Sequence, residues 1–362
     1  MKRFAWHALL LFALGGVGAL LFVGGGFVPI AADEGHWPVT RKLLQFAMHR
    51  SVKTQSLAIR APPLDDPALV RKGAGHYATG CMPCHGAPGV ERPLVPRSML
   101  PEPPPLVEVM KARQWSRAQL FWIVKHGIKY TAMPAWVAQR RDDEAWAMVA
   151  FLERLPGMSP GDYRRLASGG RALAPGACEG CHGTDGAGAD AFPRLAGLDE
   201  AYLRESLAAF ASGRRQSGIM QPIAAALDDG RLRQLAKQYA ETPAGPVAFP
   251  VAPRHADRAA IARGRWLALE GDGRRRIPAC AQCHGPGATE RNRLYPALAG
   301  QPASYLALQL RLFAGGGRGG TRYAGVMERA ASGLSPDDID DLAAYYAALP
   351  AGGAKGAATG GF

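Results

Sequence analysis

All six cysteines fall into three copies of one pattern: Cys81-Met82-Pro83-Cys84-His85, Cys178-Glu179-Gly180-Cys181-His182 and Cys280-Ala281-Gln282-Cys283-His284. None is left for a disulfide. A bare C-x-x-C pair suits a thioredoxin-like redox site or half of a zinc site. Neither chemistry calls for a histidine after the second cysteine three times over, and zinc would need the pairs to converge from different regions. C-x-x-C-H is instead the pattern of covalent haem attachment. Two thiols add across the porphyrin vinyl groups and the adjacent imidazole reaches the iron, so one short segment staples the cofactor and delivers its proximal ligand. The expectation is three covalently bound haem c groups, with Cys81, Cys84, Cys178, Cys181, Cys280 and Cys283 as attachment points and His85, His182 and His284 on iron.

An iron that only carries electrons usually has both faces occupied, and methionine opposite histidine raises the potential. Met220 is the only methionine between Met158 and Met327, and no methionine follows Met327. Each is the expected second ligand of its unit. The first unit offers Met82, Met99, Met110, Met133 and Met148. Met82 sits inside the attachment loop, and Met148 reads as core. Met133 lies in Thr131-Ala132-Met133-Pro134-Ala135-Trp136, a non-helical turn that Pro134 can hold and Trp136 can wall. It is the expected ligand, with His126 as its rival; any single methionine has core filling as its alternative. Each attached histidine also needs a carbonyl for its second ring nitrogen. Pro193, Pro296 and one of Pro104 or Pro105 are the expected suppliers.

The motifs recur at about a hundred residues, the size of a small domain. Pro193-Arg194-Leu195-Ala196-Gly197 matches Pro296-Ala297-Leu298-Ala299-Gly300, and Tyr202-Leu203, Leu207, Phe210-Ala211 and Gly213 match Tyr305-Leu306, Leu310, Phe313-Ala314 and Gly316 at one offset. The last two units are therefore a duplication. Expected divisions are 1–32, an anchor or signal; 33–66, a juxtamembrane helix and linker; domains at 67–157, 158–245 and 257–350; and a disordered Gly/Ala tail at 351–362.

Apolar residues three to four apart predict helices rather than strands. Ser116 and Gln119 form a capping box ahead of Leu120–His126, which Gly127 ends, and Ser335 with Asp338 repeats the box before a helix burying Ile339, Leu342 and Tyr346. Asp142–Leu155 turns Trp146, Val149 and Leu152 inward. Gly213 or Gly315 closes the Tyr-Leu helices, Ala61-Pro62-Pro63 breaks the chain before the first domain, and Thr242–Pro253 separates the last two. No alternating strand run occurs, so the fold class is all-α.

Phe4 to Ile30 carries no charge after Lys2 and Arg3, long enough to cross a bilayer. Its length favours a retained anchor over a cleaved signal, for which Ile30-Ala31-Ala32 offers a cutting site. Either sends the remaining chain outward, with the basic start inside. Pro38–Val52 reads as a helix lying on the membrane or packing on the first domain. The net charge of +13 suits an acidic partner or an anionic membrane surface, or simple solubility. No nucleic-acid motif occurs.

With these motifs in hand, the chain resembles a bacterial triple-haem cytochrome c. From Tyr163 onward it is similar to dihaem cytochromes of the c4 type, through Cys-x-x-Cys-His-Gly, Pro-x-Leu-Ala-Gly and a Met before the last helix. The first domain is more like a class I cytochrome c with a Met-Pro-Ala-Trp loop. The resemblance implies all-helical domains, an electron-transfer role without catalysis of its own, and a membrane respiratory enzyme as partner: an oxidase, a quinol-oxidising complex or a dehydrogenase. The expected placement is the inner membrane with haem domains in the periplasm. The leading expectation is a relay to a terminal oxidase. The alternative is the cytochrome subunit of a sugar or alcohol dehydrogenase, and a haem enzyme comes third.

Overall fold

The computed structural model describes residues 2–28, 30–168, 178–245, 258–286 and 292–351. Among them the chain is helical, with three isolated bridges and no strand. In the first unit, helix Pro67–His76 starts at Asp66, whose carboxylate accepts the Ala68 N–H at 2.9 Å. It crosses helix Asp142–Arg154 at Gly73, where a Cβ would lie 2.0 Å from the Ala147 carbonyl oxygen. Only glycine lets the two backbones approach so closely. The last unit repeats the device: helix Arg258–Glu270 crosses Pro336–Ala348 at Gly264, 2.0 Å from the Asp341 carbonyl oxygen by the same measure.

Around the first crossing a core forms from Val70, Tyr77, Leu120, Phe121, Val149 and Leu152, with Trp146 stacked on Phe121 at 4.3 Å. The last core gathers Leu267, Leu306, Ile339, Leu342 and Tyr346, and a smaller middle core holds Leu198, Leu203, Leu235 and Tyr239. Both capping boxes form as expected, on Arg117–His126 and Pro336–Ala348. Gly127 ends the first of these helices at φ 65°. Helix Glu200–Ala211 gives way to Gly213 at φ 71°, and Ala303–Ala314 to Gly316 at φ 67°. Gly315 is right-handed at φ −91°, so the left-handed exit belongs to Gly316, the residue aligned with Gly213.

Helix Pro160–Ser168 lies where the repeat begins its second unit, yet its Tyr163 is fully buried in the first core, 6.1 Å from the Tyr77 ring and 6.2 Å from Phe151. Aromatic neighbours already assembled there draw it in. The first two units also touch directly. Gly75 packs on Phe192 and Ile219, which leave no room for a side chain: a Cβ would sit 2.9 Å from the phenyl ring. Arg71 pairs with Asp190 at 2.9 Å across the same face.

Helix Lys2–Gly24 is long and apolar enough to cross a membrane, and stops short of Ile30 at Gly25-Gly26. Helix Pro38–Gln55 divides its faces. Val52 is buried and His49 stacks on Trp115 at 4.6 Å, while Val39, Leu43 and Phe46 remain exposed. Ala61-Pro62-Pro63 is irregular, but Leu64 just after it enters the first core. The expected separator beyond residue 245 and the tail beyond 351 lie outside the described residues.

Candidate haem-binding sites

Each motif folds into a four-residue helix, Met82–His85, Glu179–His182 or Ala281–His284. Gly86, Gly183 and Gly285 end them at φ 69°, 82° and 70°, each returning its N–H to the helix's first carbonyl at 2.9–3.0 Å. The required left-handed residue explains the glycine after every histidine. One tight turn thus holds both thiols and the imidazole together. None of the six cysteines is in a disulfide, and none is fully buried. In the first unit the Tyr77 hydroxyl, fully buried, donates to the Gly86 carbonyl at 2.6 Å and pins the motif to the helix before it.

The three histidines share one arrangement. Nδ1 meets a proline carbonyl at 2.8 Å each time: His85 with Pro104, His182 with Pro193 and His284 with Pro296. Of the two candidates in the first unit, Pro104 is the supplier. A carbonyl only accepts, so Nδ1 carries the proton and the lone pair is left on Nε2. Burial holds His85 and His182 below the ordinary imidazole value, more than the carbonyl bond raises them. The neutral, Nε2-basic imidazole is the form that binds metal.

In the last unit the structure brings the expected pair together. His284 Nε2 and Met327 Sδ face each other at 3.5 Å. An imidazole nitrogen facing a thioether sulfur is a donor set that would suit a haem iron, and His284 and Met327 are the residues that would hold it there. Met220 opens helix Met220–Ala225, and Met133 lies in a non-helical loop where its N–H bonds Thr131 Oγ1 at 3.1 Å. Of the other candidates in the first unit, Met148 and Met110 are buried in the core, and Met82 Sδ receives the Tyr163 hydroxyl at 3.4 Å. His126 is exposed at its helix end beside the Trp122 ring.

Sequence reasoning missed Arg194. It is 2% exposed, donates its backbone N–H to Gln301 Oε1 at 3.0 Å and a guanidinium N–H to the Ala299 carbonyl, yet its Nε and Nη1 have no partner. Buried cationic donors left unpaired are costly and mark a place for an anion. The propionates of a haem held at His182 or His284 have that chemistry. One signal was available: the duplicated unit carries Ala297 at the matching position.

A helical chain with three such cysteine-pair and histidine turns is a covalent haem carrier, and the comparisons agree. Residues 68–152 match the model of cytochrome c oxidase, cbb3-type, subunit III, while 167–248 and 271–349 match that of cytochrome c. A thiosulfate dehydrogenase electron acceptor of Thiomonas intermedia is 38% identical over 50% of this chain and 82% of its own length. Cytochrome c4 of Thiocapsa roseopersicina is 34% identical over 50% of this chain and 91% of its own. A solved thiosulfate dehydrogenase of Marichromatium purpuratum aligns at 39% identity and TM-score 0.44, covering 48% of this chain and 36% of that one. The chain belongs to the cytochrome c family, as a multihaem electron carrier.

Proposed function

We propose that the chain is a three-haem cytochrome c, anchored in the inner membrane by helix Lys2–Gly24 with its haem domains in the periplasm. It takes electrons from a periplasmic oxidoreductase acting on an inorganic sulfur compound such as thiosulfate and passes them to a terminal oxidase in the membrane. The likeness to electron acceptors of thiosulfate dehydrogenase carries the donor side. The match of residues 68–152 to an oxidase subunit supports the outlet.

Haem, when bound, supplies a one-electron couple at its iron. The chain does the rest. Cys81 and Cys84, Cys178 and Cys181, and Cys280 and Cys283 fix the cofactor covalently. His85, His182 and His284 offer Nε2, held in orientation and tautomer by the proline carbonyls. Met133, Met220 and Met327 are the residues that would supply thioether sulfur to the three irons, which would close each iron to substrate and favour its reduced state. Arg194 stands to neutralise propionate charge between the second and third units.

Oxygen uptake by membranes with and without this protein tests the reading. Thiosulfate-driven uptake is expected to fall when it is absent, with quinol-driven uptake retained. Unchanged thiosulfate-driven uptake overturns the donor assignment. Loss confined to sugar or alcohol donors points to the dehydrogenase-subunit alternative.

A further inference from the structure

One buried carboxylate joins the methionine loops of the first two units. Glu144, on the first turn of helix Asp142–Arg154, is 1% exposed. Its Oε2 accepts the Gly218 backbone N–H at 2.6 Å and the Trp136 indole N–H at 3.2 Å, and its Oε1 accepts the Ser217 hydroxyl at 3.0 Å. Ser217 Oγ in turn accepts the backbone N–H of Met220 at 3.2 Å. Trp136 closes the loop that carries Met133, its backbone N–H donating to the Lys125 carbonyl at 3.0 Å. Arg141, with a guanidinium nitrogen 3.1 Å from Oε1, balances the charge. The loops also touch directly. A Cβ on Gly218 would lie 2.4 Å from the Trp136 indole.

A carboxylate so deeply buried is tolerated only when paired and fully hydrogen-bonded. Here the donors come from both loops, so the loops cannot separate without orphaning Glu144 and the N–H groups it receives. Charge-assisted bonds of this kind are about twice as strong as neutral ones.

We propose that Glu144 is a positioning residue that locks the Met133 and Met220 loops together, making the Trp136–Gly218 contact the crossing point for electrons between the first two units. The inference rests on the assignment of Met133 and Met220 as iron ligands. At the crossing one electron leaves one centre and arrives at the other; the first is oxidised as the second is reduced, and no bond or proton changes.

The test uses the full-length haem-loaded protein, with haem content checked by mass. Two signals are read: the far-red absorption of ferric iron bound to methionine sulfur, and the rate of electron redistribution after rapid one-electron reduction. Glu144→Ala is expected to keep every haem, to weaken the far-red band and to slow redistribution. Glu144→Gln, which keeps shape and one accepting oxygen, is expected to fall between Ala and the unaltered protein. It carries the test if the alanine variant does not fold. Gly218→Ala is expected to slow redistribution by displacing Trp136. If Met133→Ala and Met220→Ala each weaken the band while Glu144→Gln and Gly218→Ala leave band and rate unchanged, the positioning role is overturned and the ligand assignment stands. If neither methionine variant alters the band, the ligand assignment fails and takes the positioning role with it.

Discussion

Three imidazoles, each with Nδ1 on a proline carbonyl, present the same basic nitrogen, and in the last unit Met327 Sδ already faces it. Exchanging a thioether for a second imidazole replaces a soft ligand that favours ferrous iron with a donor that stabilises ferric iron. Met220→His is therefore expected to lower one haem potential while keeping that iron six-coordinate. Met327→Ala is expected to open its iron to carbon monoxide and remove about one third of the far-red band, since one of the three proposed iron–sulfur bonds would go. Redox titration and absorption spectra check both; unchanged potentials and band would sink the ligand assignments. The cysteines and histidines were legible in the sequence because their chemistry is local to five residues. Glu144 was not, and Arg194 was marked only by its mismatch with Ala297 in the repeat, because a lone charged residue reads as solvated surface until the chain buries it among segments far away in sequence.

Helices were equally legible where caps and periodicity are local, as in the two capping boxes. The crossings at Gly73 and Gly264 were not, because one glycine within a helix does not say which backbone approaches it. Gly264→Ala forces a Cβ against the Asp341 carbonyl oxygen and is expected to destabilise the last unit by about 3 kcal/mol, read by urea unfolding of the haem-loaded protein. The junction of the first two units adds a pH dependence. His76 is 2% exposed with neither ring nitrogen hydrogen-bonded, Glu144 is 3.9 Å away, and Lys72, Arg141, Asp143 and Trp136 complete its surroundings. Burial drives its pKa down to about 4. The unfolded imidazole titrates near 6.5, so as pH falls the unfolded chain binds the proton first. Stability is full above about pH 6.5 and declines toward pH 4, with a loss on the order of 2 kcal/mol by pH 5. His76→Phe should flatten that slope between pH 7 and 5 by His76's share, leaving whatever His85 and His182, also held low by burial, contribute. A slope left unchanged by the substitution would exclude His76 as a source.

For the whole molecule, the mass of the denatured protein should exceed that of the polypeptide by three haems, and replacing both cysteines of one motif should remove one. The protein should sediment with membranes, and removing residues 2–32 behind a cleavable signal should release it; a mature N-terminus near Asp33 would show that the segment is cut away. The face where Gly75 covers Phe192 and Ile219 has a further consequence. Those two residues are 7% and 8% exposed, and Gly75 of helix Pro67–His76 lies directly against both side chains. A fragment starting at residue 178 would lose that cover together with the Glu144 carboxylate, and would present bare phenyl and isoleucine surface beside unpaired N–H groups. Contiguous apolar surface of this kind drives self-association. Such a fragment should elute as dimers or larger species as its concentration rises, and a polar replacement, Phe192→Ser, should return it to a monomer. That result would make the first unit a cover that keeps the rest of the chain from sticking to itself.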